Sequence, residues 1–333
     1  MRAVICRRYG PPEVLCLEQV EQPVPREREV LIRVHASTVG HADGMMRRGD
    51  TVMSRVVLGL TRPRARYRRT GLELAGVIAG VGRGVTRFHV GDDVYGHAGM
   101  APGALADYVC LAEDAALAIK PSNLSHEEAA AVVDGASTAL YFLRDRGQVR
   151  RGERVLVNGA SGSVGSFAVQ LAKHFGAEVT GVCSTANIEL VRSLGADEVT
   201  DYTRQDFTAA SAAYDVIFDA VGKSSFSRCR RALRRNGRYL VTVLGAGAIL
   251  QTLWTRLFGA RRAIFAMTLP NRARLESLRE LVEAGALKPV VDRRYPLEQV
   301  AAAHRYVDQG RKRGNVVITV APGPGAPATV ASG

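Results

Sequence analysis

A turn spaced by glycines, between a short apolar strand and an amphipathic helix, constrains the fold of this chain more than any other feature. It lies in VLVNGASGSVGSFAVQLAKHFGAEVTGVCST, residues 155–185. Glycine recurs there at every third position, as Gly159, Gly162 and Gly165. That spacing suits a tight turn, a close approach of backbone to a ligand, and close packing of a helix on a strand. The turn therefore predicts a site that binds phosphate groups.

The segments on either side of the turn carry this prediction, because a glycine pattern alone is a weak signal. Residues 154–158 are typical of a buried parallel strand, and residues 177–183 are typical of a second one. Apolar residues between them fall on one face of a helix, which completes a right-handed strand–helix–strand unit. The N–H groups that open this helix would face a bound anion. The residues predicted to contact it are Gly159, Ser161, Gly162, Ser163, Val164 and Gly165.

The order of strand and helix patterns predicts an α/β fold with distinct domains. Residues 1–124 carry period-2 segments such as EVLIRVHAS between Gly and Pro turns, which indicates an irregular β domain. Residues 125–265 alternate helices with apolar strands, which indicates a doubly wound parallel sheet. A C-terminal segment follows over residues 266–320. The tail, residues 321–333, has the composition of a disordered segment.

Composition excludes several classes of protein. The chain has 333 residues, of which 47% are hydrophobic, so it can bury a full core. No apolar run is long enough to cross a bilayer, and the opening MRAVICRRYG lacks the apolar stretch of a secretion signal. We therefore expect a cytoplasmic protein without a membrane partner. The five cysteines form no C-x-x-C pair, so neither a disulfide framework nor a cysteine-rich zinc site is indicated.

The charge of the chain favours anionic partners. Lys and Arg number 45 against 32 Asp and Glu, which gives a net charge of +13. The densest basic block, residues 45–69, could lie on nucleic acid or a membrane surface, or guide an acidic substrate. In a chain rich in arginine throughout, a solvated loop is the more favoured interpretation. A nucleic-acid partner is therefore not expected.

Five motifs together resemble the medium-chain dehydrogenase/reductase superfamily. They are MRAVICRRYGPPEVLCLEQV, AGVIAGVGRGVTRFHVGDDVYG, NGASGSVGSFAVQLAKHFGA, VRSLGADEVTDY and GNVVITV. The resemblance extends to about Val320 and is greatest to the zinc-independent, quinone-oxidoreductase-like branch, which also includes NAD(P)-dependent alcohol dehydrogenases. It implies a GroES-like N-terminal domain, a Rossmann NADP-binding domain, and a C-terminal segment that returns to the first domain. It also implies a homodimer that acts on a small-molecule substrate.

The positions that hold catalytic zinc in zinc-dependent members are altered here. They fall on Gly40, Leu72 and Asp134, and these residue types cannot make a tight zinc site. The resemblance therefore implies an enzyme without a metal. A remodelled site could use His41, Asp43, Glu73 and Asp134, but these do not follow a metal-ligand spacing.

The cofactor is expected to be NADPH, with NADH less favoured. An NAD-selective Rossmann fold has a carboxylate at the end of its second strand. Here that place reads Ser184, Thr185, Ala186 and Asn187, so a 2′-phosphate would meet hydroxyl donors and no repulsion. Tyr202, Arg192 and Arg204 are further candidates for this contact. The resemblance adds the cofactor contacts Thr138, Val243, Leu244, Gly245, Phe265, Ala266 and Asn315.

The candidate catalytic residues are Asp134, His41 and Asp43. Without a metal, quinones and α,β-unsaturated ketones are the suited substrates, because their developing charge spreads into an enolate or hydroquinone. Asp134 would be desolvated and act as proton donor or substrate anchor, or would instead cap a helix through N–H groups of residues 135–137. His41 would donate a proton, bind the cofactor pyrophosphate, or be a surface histidine without a role in the site.

Two other functions stay open at this point. One is an NADP-dependent carbonyl reductase or alcohol dehydrogenase on the same scaffold. The other is a non-catalytic homologue of quinone reductases that binds nucleic acid.

Overall fold

The computed structural model describes residues 1–99, 102–242, 252, 254–255 and 260–320. This part of the chain divides into two compact units. Unit 1 comprises Met1–Val133, Pro270–Glu283 and the described residues from Val291 onward; unit 2 comprises Asp134–Leu269 and Ala284–Val290. The predicted domain boundaries after residues 124 and 265 stay predictions. The tail predicted to be disordered, residues 321–333, lies outside the described residues.

The described chain contains the following strands and α-helices. The strands are β1 Arg2–Cys6, β2 Leu15–Gln19, β3 Glu29–Val39, β4 Glu73–Val81, β5 Asp93–His97, β6 Tyr108–Ala112, β7 Leu117–Ile119, β8 Arg154–Asn158, β9 Glu178–Cys183, β10 Glu198–Asp201, β11 Tyr214–Asp219, β12 Leu233–Val241, β13 Arg262–Phe265, β14 Val291–Pro296 and β15 Asn315–Thr319. The helices are α1 His41–Arg48, α2 Val52–Leu58, α3 His126–Leu140, α4 Ser163–His174, α5 Ile188–Ser193, α6 Phe226–Cys229, α7 Arg272–Glu283 and α8 Val300–Asp308. None of the described helices has the length and apolar character needed to cross a bilayer.

Unit 1 is built on a mainly antiparallel sheet. Its described strands follow the order β14-β15-β3-β4-β5-β7, β6 pairs with β3, and β1 and β2 form a separate pair. The long strand β3 shows the period-2 pattern read from the sequence only in its middle, where Ile32 and Val34 are fully buried and Arg33 is exposed; Leu31 and residues 36–39 are buried on both faces. The irregular β domain predicted for the N-terminal region is confirmed.

Unit 2 contains a parallel sheet. The described strands follow the order β10-β9-β8-β11-β12-β13, which is the doubly wound arrangement predicted from the alternating patterns. The order reverses between β8 and β11, where Asn158 and Asp219 are register partners at the carboxyl ends of their strands. Ligands of open parallel sheets bind outside the strand ends at such a reversal. The carboxyl ends of β8 and β11 are therefore the expected position of a ligand site in unit 2.

Helix α8 of unit 1 carries a buried histidine. The side chain of His304 is 1% exposed, and neither ring nitrogen has a hydrogen-bond partner among the described residues. Burial, followed by the nearby guanidinium of Arg47, lowers the pKa of His304 from 6.5 to about 4. Asp308 opposes this shift and Arg48 adds to it. His304 is therefore neutral in the folded protein at neutral pH.

Replacing His304 with leucine should make the protein less sensitive to acid. His304 is protonated below about pH 6.5 in the unfolded chain but only below about pH 4 in the folded protein. The wild type therefore loses stability as the pH falls from 6.5 to 4. The variant lacks this loss, so its unfolding free energy relative to wild type should improve by about 3 kcal/mol between pH 7 and pH 4. Urea unfolding at each pH measures this difference. The control is His89→Leu, because the His89 side chain is exposed. If the unfolding free energies of wild type and His304→Leu change in parallel with pH, the expectation is contradicted.

Candidate nucleotide site and candidate catalytic residues

The glycine turn of unit 2 joins β8 to α4, and two of its glycines are required by the chain itself. Gly159 has a φ of +82°, and a Cβ there would lie 2.1 Å from Val221 Cγ2. A Cβ on Gly165 would lie 2.0 Å from the carbonyl oxygen of Gly159. These contacts give the predicted tight turn and the predicted close helix–strand packing. Both roles follow from the structure without any ligand.

Gly162 differs from the other two glycines. It is the N-cap of α4 with a φ of −84°, which any residue can adopt. A Cβ there would have as its nearest neighbour the Gly159 oxygen at 3.4 Å, an ordinary contact. Glycine is a favourable N-cap residue, but serine, asparagine or aspartate would cap the helix as well or better, so the fold does not demand glycine at this position. A missing side chain at the start of a helix instead leaves its N–H groups open to a bound anion.

A buried carboxylate that sequence reasoning missed holds the neighbouring loop in place. Asp219 is fully buried at the end of β11. Its Oδ1 accepts hydrogen bonds from Asn158 Nδ2 and the Gly222 N–H, both at 2.9 Å. Its Oδ2 accepts from the Tyr239 hydroxyl at 2.8 Å and the Ser224 N–H at 3.0 Å. The signal was an acidic residue directly after an apolar strand, in YDVIFDAVG, since such a residue is buried only where it finds partners.

Tyr239 completes this network from β12. Burial, and then the adjacent Asp219 carboxylate, raise the pKa of the Tyr239 hydroxyl. The hydroxyl therefore stays protonated and remains a donor to Asp219. Together the network links the ends of β8, β11 and β12 beside the glycine turn.

Helix α3 brings two predicted residues to the same place. A Cβ on Gly135 would lie 2.9 Å from the Ser163 carbonyl oxygen, so the helix passes close to the start of α4. Asp134 precedes this contact, and Thr138 follows it within the same helix and is buried. Asp134 and Thr138 therefore lie on either side of the point where α3 contacts the start of α4 at Ser163.

The environment predicted for Asp134 is corrected by the structure. Its side chain is exposed, so the expected desolvation is wrong. The helix-cap alternative is wrong as well, because α3 begins at His126 and continues beyond residue 134 to Leu140. In the interior of a helix the following N–H groups already bond to main-chain carbonyls. The catalytic role of Asp134 stays a prediction.

The end of β9 contains a second feature absent from the sequence argument. The Thr185 hydroxyl donates a hydrogen bond to the buried carboxylate of Asp201. Parallel pairing makes Cys183 and Asp201 register partners, which brings the ends of β9 and β10 level. Bonds from Thr185 and Thr203 lower the pKa of Asp201, so this carboxylate stays charged. The expectation that a 2′-phosphate would meet no carboxylate here is therefore wrong.

Other groups at this edge remain as predicted candidates. Asn187 Nδ2 donates to Ser184 Oγ at 3.2 Å. Tyr202 is 59% exposed, and its N–H bonds to the Cys183 carbonyl. The Arg204 guanidinium lies 3.7 Å from the Asp201 carboxylate with its side chain 75% exposed. Arg192 instead pairs with a glutamate on the surface of α5.

The two candidates in unit 1 have different environments. His41 is the exposed first residue of α1. Asp43 is buried, and its Oδ2 accepts the Gly40 N–H at 2.9 Å. Asp43 thus supplies one half of a capping box, the bond to the N-cap N–H, whereas Gly40 has no side chain to supply the reciprocal bond.

The remaining predicted cofactor contacts are dispersed. Phe265 ends β13, where its N–H donates to Thr252 Oγ1 at 3.2 Å, and the buried Ala266 follows. Asn315 is buried at the start of β15 in unit 1. Val243, Leu244 and Gly245 lie outside the described residues.

Comparison with known proteins agrees with this architecture. Two family models match the chain: the alcohol dehydrogenase GroES-like domain over residues 26–122 and the zinc-binding dehydrogenase family over residues 194–318. A 2-methylene-furan-3-one reductase of Solanum lycopersicum is 35% identical over 96% of this chain and 79% of its own length. A chloroplastic NADPH-dependent alkenal/one oxidoreductase of Arabidopsis thaliana is 34% identical over the same shares of the two chains. The quinone oxidoreductase of Coxiella burnetii superposes with a TM-score of 0.87 at 29% identity, covering 96% of this chain and 99% of its own.

The chain belongs to the medium-chain dehydrogenase/reductase superfamily. Within it, the chain falls in the quinone-oxidoreductase-like branch. The predicted combination of a GroES-like domain with a parallel Rossmann-type sheet is confirmed.

Zinc is the metal that one matched family description implies for this superfamily, and the residues present do not fit it. Leu72 offers no ligand atom. The buried Glu73 already accepts the Thr38 hydroxyl at its Oε1, at 2.6 Å. Across the part of the chain that the structure describes, no group of three or more His, Cys, Asp or Glu could hold a metal ion.

Gly165 and Gly162 should differ in their effect on stability when each is replaced by alanine. Gly165→Ala should lower the melting temperature strongly, because its Cβ would overlap the Gly159 carbonyl. Gly162→Ala should lower it less, because its Cβ meets only an ordinary contact and φ is unchanged, and the remaining cost is that alanine is a weaker N-cap than glycine. Thermal unfolding of the two variants beside wild type measures this. An equal loss in both variants would show that Gly162 also serves the fold alone.

Proposed function

We propose that this protein is a zinc-independent, NADPH-dependent oxidoreductase that reduces quinones or α,β-unsaturated carbonyl compounds. One observation carries the proposal: Gly162 leaves the start of α4 open where the strand order of the Rossmann-type sheet reverses, although the fold does not require glycine there. The names of the similar proteins support it, since they include an NADPH-dependent alkenal/one oxidoreductase and a quinone oxidoreductase.

The chain's own groups would hold the dinucleotide at this end of unit 2. The N–H groups that open α4 would bond the pyrophosphate, because a helix start presents donors without partners and a favourable dipole. The Asp219 network would keep the loop after β11 fixed beside them. When bound, the nicotinamide supplies a hydride to an electrophilic carbon.

The 2′-phosphate of NADPH would be met by groups at the ends of β9 and β10. Asp201 does not present a free carboxylate to the ribose, because Thr185 and Thr203 already bond it. Arg204 lies beside it and is exposed, so its guanidinium can turn toward a phosphate. Ser184 and Tyr202 add hydroxyl groups at the same edge. We therefore propose that NADPH binds more tightly than NADH.

The substrate class follows from the groups that can take up charge. Without a Lewis acid, the substrate oxygen needs hydrogen bonds and a proton. In an enone or quinone the developing charge is spread over several atoms, so a modest acid suffices. We propose Asp134, exposed on α3 beside the start of α4, as the group that supplies this proton once bound substrate has removed it from water, with His41, at the start of α1, as the alternative. Asp43 would act through α1 by capping it.

Turnover of NADPH should depend on a quinone or enone and not on a metal. We expect purified protein to oxidise NADPH with such substrates, to bind NADPH more tightly than NADH, and to keep its activity with a chelator present. Gly162→Ala should raise the KM for NADPH, because its methyl group fills the space above the helix start. The absorbance of NADPH, fluorescence titration of both cofactors and elemental analysis for zinc measure these quantities.

Other results of this assay would reject the proposal. Preferred oxidation of alcohols would indicate an alcohol dehydrogenase or carbonyl reductase. Negligible turnover with salt-dependent RNA binding would indicate a nucleic-acid-binding homologue. Loss of activity together with one bound zinc per chain would reject the zinc-independent mechanism.

Asp134→Asn should reveal whether this residue transfers a proton. If it does, kcat should fall by about 10²-fold, because the amide keeps the shape of the side chain and removes the acid. NADPH affinity should stay unchanged. The control is Asp114→Asn, which removes an exposed carboxylate from a turn in unit 1. Unchanged kcat in Asp134→Asn would transfer the role to His41 or water.

A further inference from the structure

A basic segment of unit 1, which we name the arginine arm, comprises residues 51–69. It contains α2, the loop that follows it, and a single helical turn over Ala65–Tyr67. Leu58, Pro63 and Tyr67 are buried and attach the arm to the unit. The same three side chains line a cavity inside unit 1 together with Asp43 and Arg47, so the inward side of the arm faces the interior of the unit and not the solvent.

The opposite side of the arm presents apolar side chains to solvent. Val52 is 84% exposed, Val56 is 52% exposed and Leu60 is 67% exposed. Val52 and Val56 lie four residues apart on α2 and so share one helix face. Single exposed apolar residues are common on protein surfaces, but several from one short segment indicate a contact surface.

The arm also carries positive charge without compensation. It contains six arginines and no acidic residue; the arginines are Arg55, Arg62, Arg64, Arg66, Arg68 and Arg69. None of the six forms an ion pair with any described carboxylate, although arginines elsewhere in the chain commonly do. The nearest acidic residue along the chain, Asp50, pairs with Arg48. Arg55, Arg64 and Arg68 donate only to main-chain carbonyls, and Arg66 lies over the Tyr67 ring. The positive charge of the arm is therefore not neutralised within the chain and can attract an external anion.

Local hydrogen bonds hold the arm in this presentation. The Tyr9 hydroxyl donates to the Gly59 carbonyl at 2.6 Å, and Arg55 Nε donates to the Gly49 carbonyl at 2.7 Å. Thr51 caps α2 by accepting the Ser54 N–H at 3.0 Å. The exposed valines thus belong to a fixed helix, which lowers the entropy cost of binding through them.

We propose that the arginine arm binds the surface of anionic phospholipid membranes, with Val52, Val56 and Leu60 at the acyl boundary and the arginines on the headgroups. This combination of apolar contact and cations matches a bilayer interface. A single-stranded nucleic acid also offers phosphates, but proteins bind it by stacking its bases on exposed aromatic side chains. The one aromatic residue of the arm, Tyr67, is buried at 5% exposure. The proposal departs from the sequence-based expectation of a solvated loop and no membrane partner.

Vesicle sedimentation tests this proposal with the full-length protein. Wild type should bind vesicles of phosphatidylcholine and phosphatidylglycerol in equal parts, should bind pure phosphatidylcholine weakly, and should be released by salt. Arg62→Gln/Arg64→Gln/Arg66→Gln should weaken binding by about 10²-fold, since each arginine near an anionic surface contributes about fivefold. Val52→Ser/Val56→Ser/Leu60→Ser should weaken binding too, and its residual binding should be more sensitive to salt.

A charge-matched control lies in unit 2. Arg230, Arg231 and Arg235 are exposed, so changing all three to glutamine alters the net charge equally without touching the arm. This control should bind vesicles like wild type. Equal losses in the control and the arm variant would reject the proposal in favour of non-specific attraction by the net charge.

Two further results would also reject the proposal. One is unchanged vesicle binding by the Val and Leu variant. The other is competition by an RNA oligonucleotide that binds this variant and wild type equally, which would indicate a nucleic-acid surface. Melting temperatures of all variants verify folding, which these exposed positions should leave intact.

Discussion

The buried carboxylate of Asp219 is the interaction on which the candidate nucleotide site depends. It accepts bonds from a side chain at the end of β8, from a hydroxyl on β12 and from the loop that follows β11. A carboxylate without these partners would be costly to bury, so the partners and the acid stabilise each other only together. The glycine turn begins one residue after Asn158, so its position is set by the same network. The backbone donors at the start of α4 therefore lie on a fixed frame.

In unit 1, two arginines that bind one aspartate fix the position of α1. Arg47 Nη2 and Arg48 Nη1 both donate to Asp308, at 2.6 and 2.7 Å. The helix that begins with His41 is thereby tied to α8, which comes more than 250 residues later in the chain. Breaking a buried pair leaves an unpaired charge, which is strongly destabilising. The orientation of α1, and with it of His41, thus depends on the C-terminal part of the chain.

The groups that would meet the 2′-phosphate come from two neighbouring strands, β9 and β10, and not from β9 alone. Along the sequence, the end of β9 contains hydroxyl and amide groups and no acid. In the sheet, Asp201 lies level with Cys183, and its carboxylate binds the Thr185 hydroxyl. One predicted donor is therefore already used, and a negative charge lies near the proposed phosphate. The proposal for NADPH then depends on Arg204, which the sequence argument held only as a substitute.

The sequence by itself determined the elements whose signals are local. Glycine spacing, the period-2 pattern of β3 and the alternation of helices with apolar strands predicted the turn, the β unit and the parallel sheet. Family motifs predicted the superfamily, and the comparisons confirm it. Such features can be predicted from the sequence because steric limits and side-chain periodicity act between residues close in the chain.

Only the tertiary structure decided which distant groups meet. It buried Asp219 among its partners, brought Asp201 to Thr185, left Asp134 exposed within a helix, and turned the valines of the arginine arm outward. The physical reason is that burial and hydrogen bonding depend on sheet register and on the packing of segments far apart in the chain. Those relations leave no periodic or compositional mark on a single sequence.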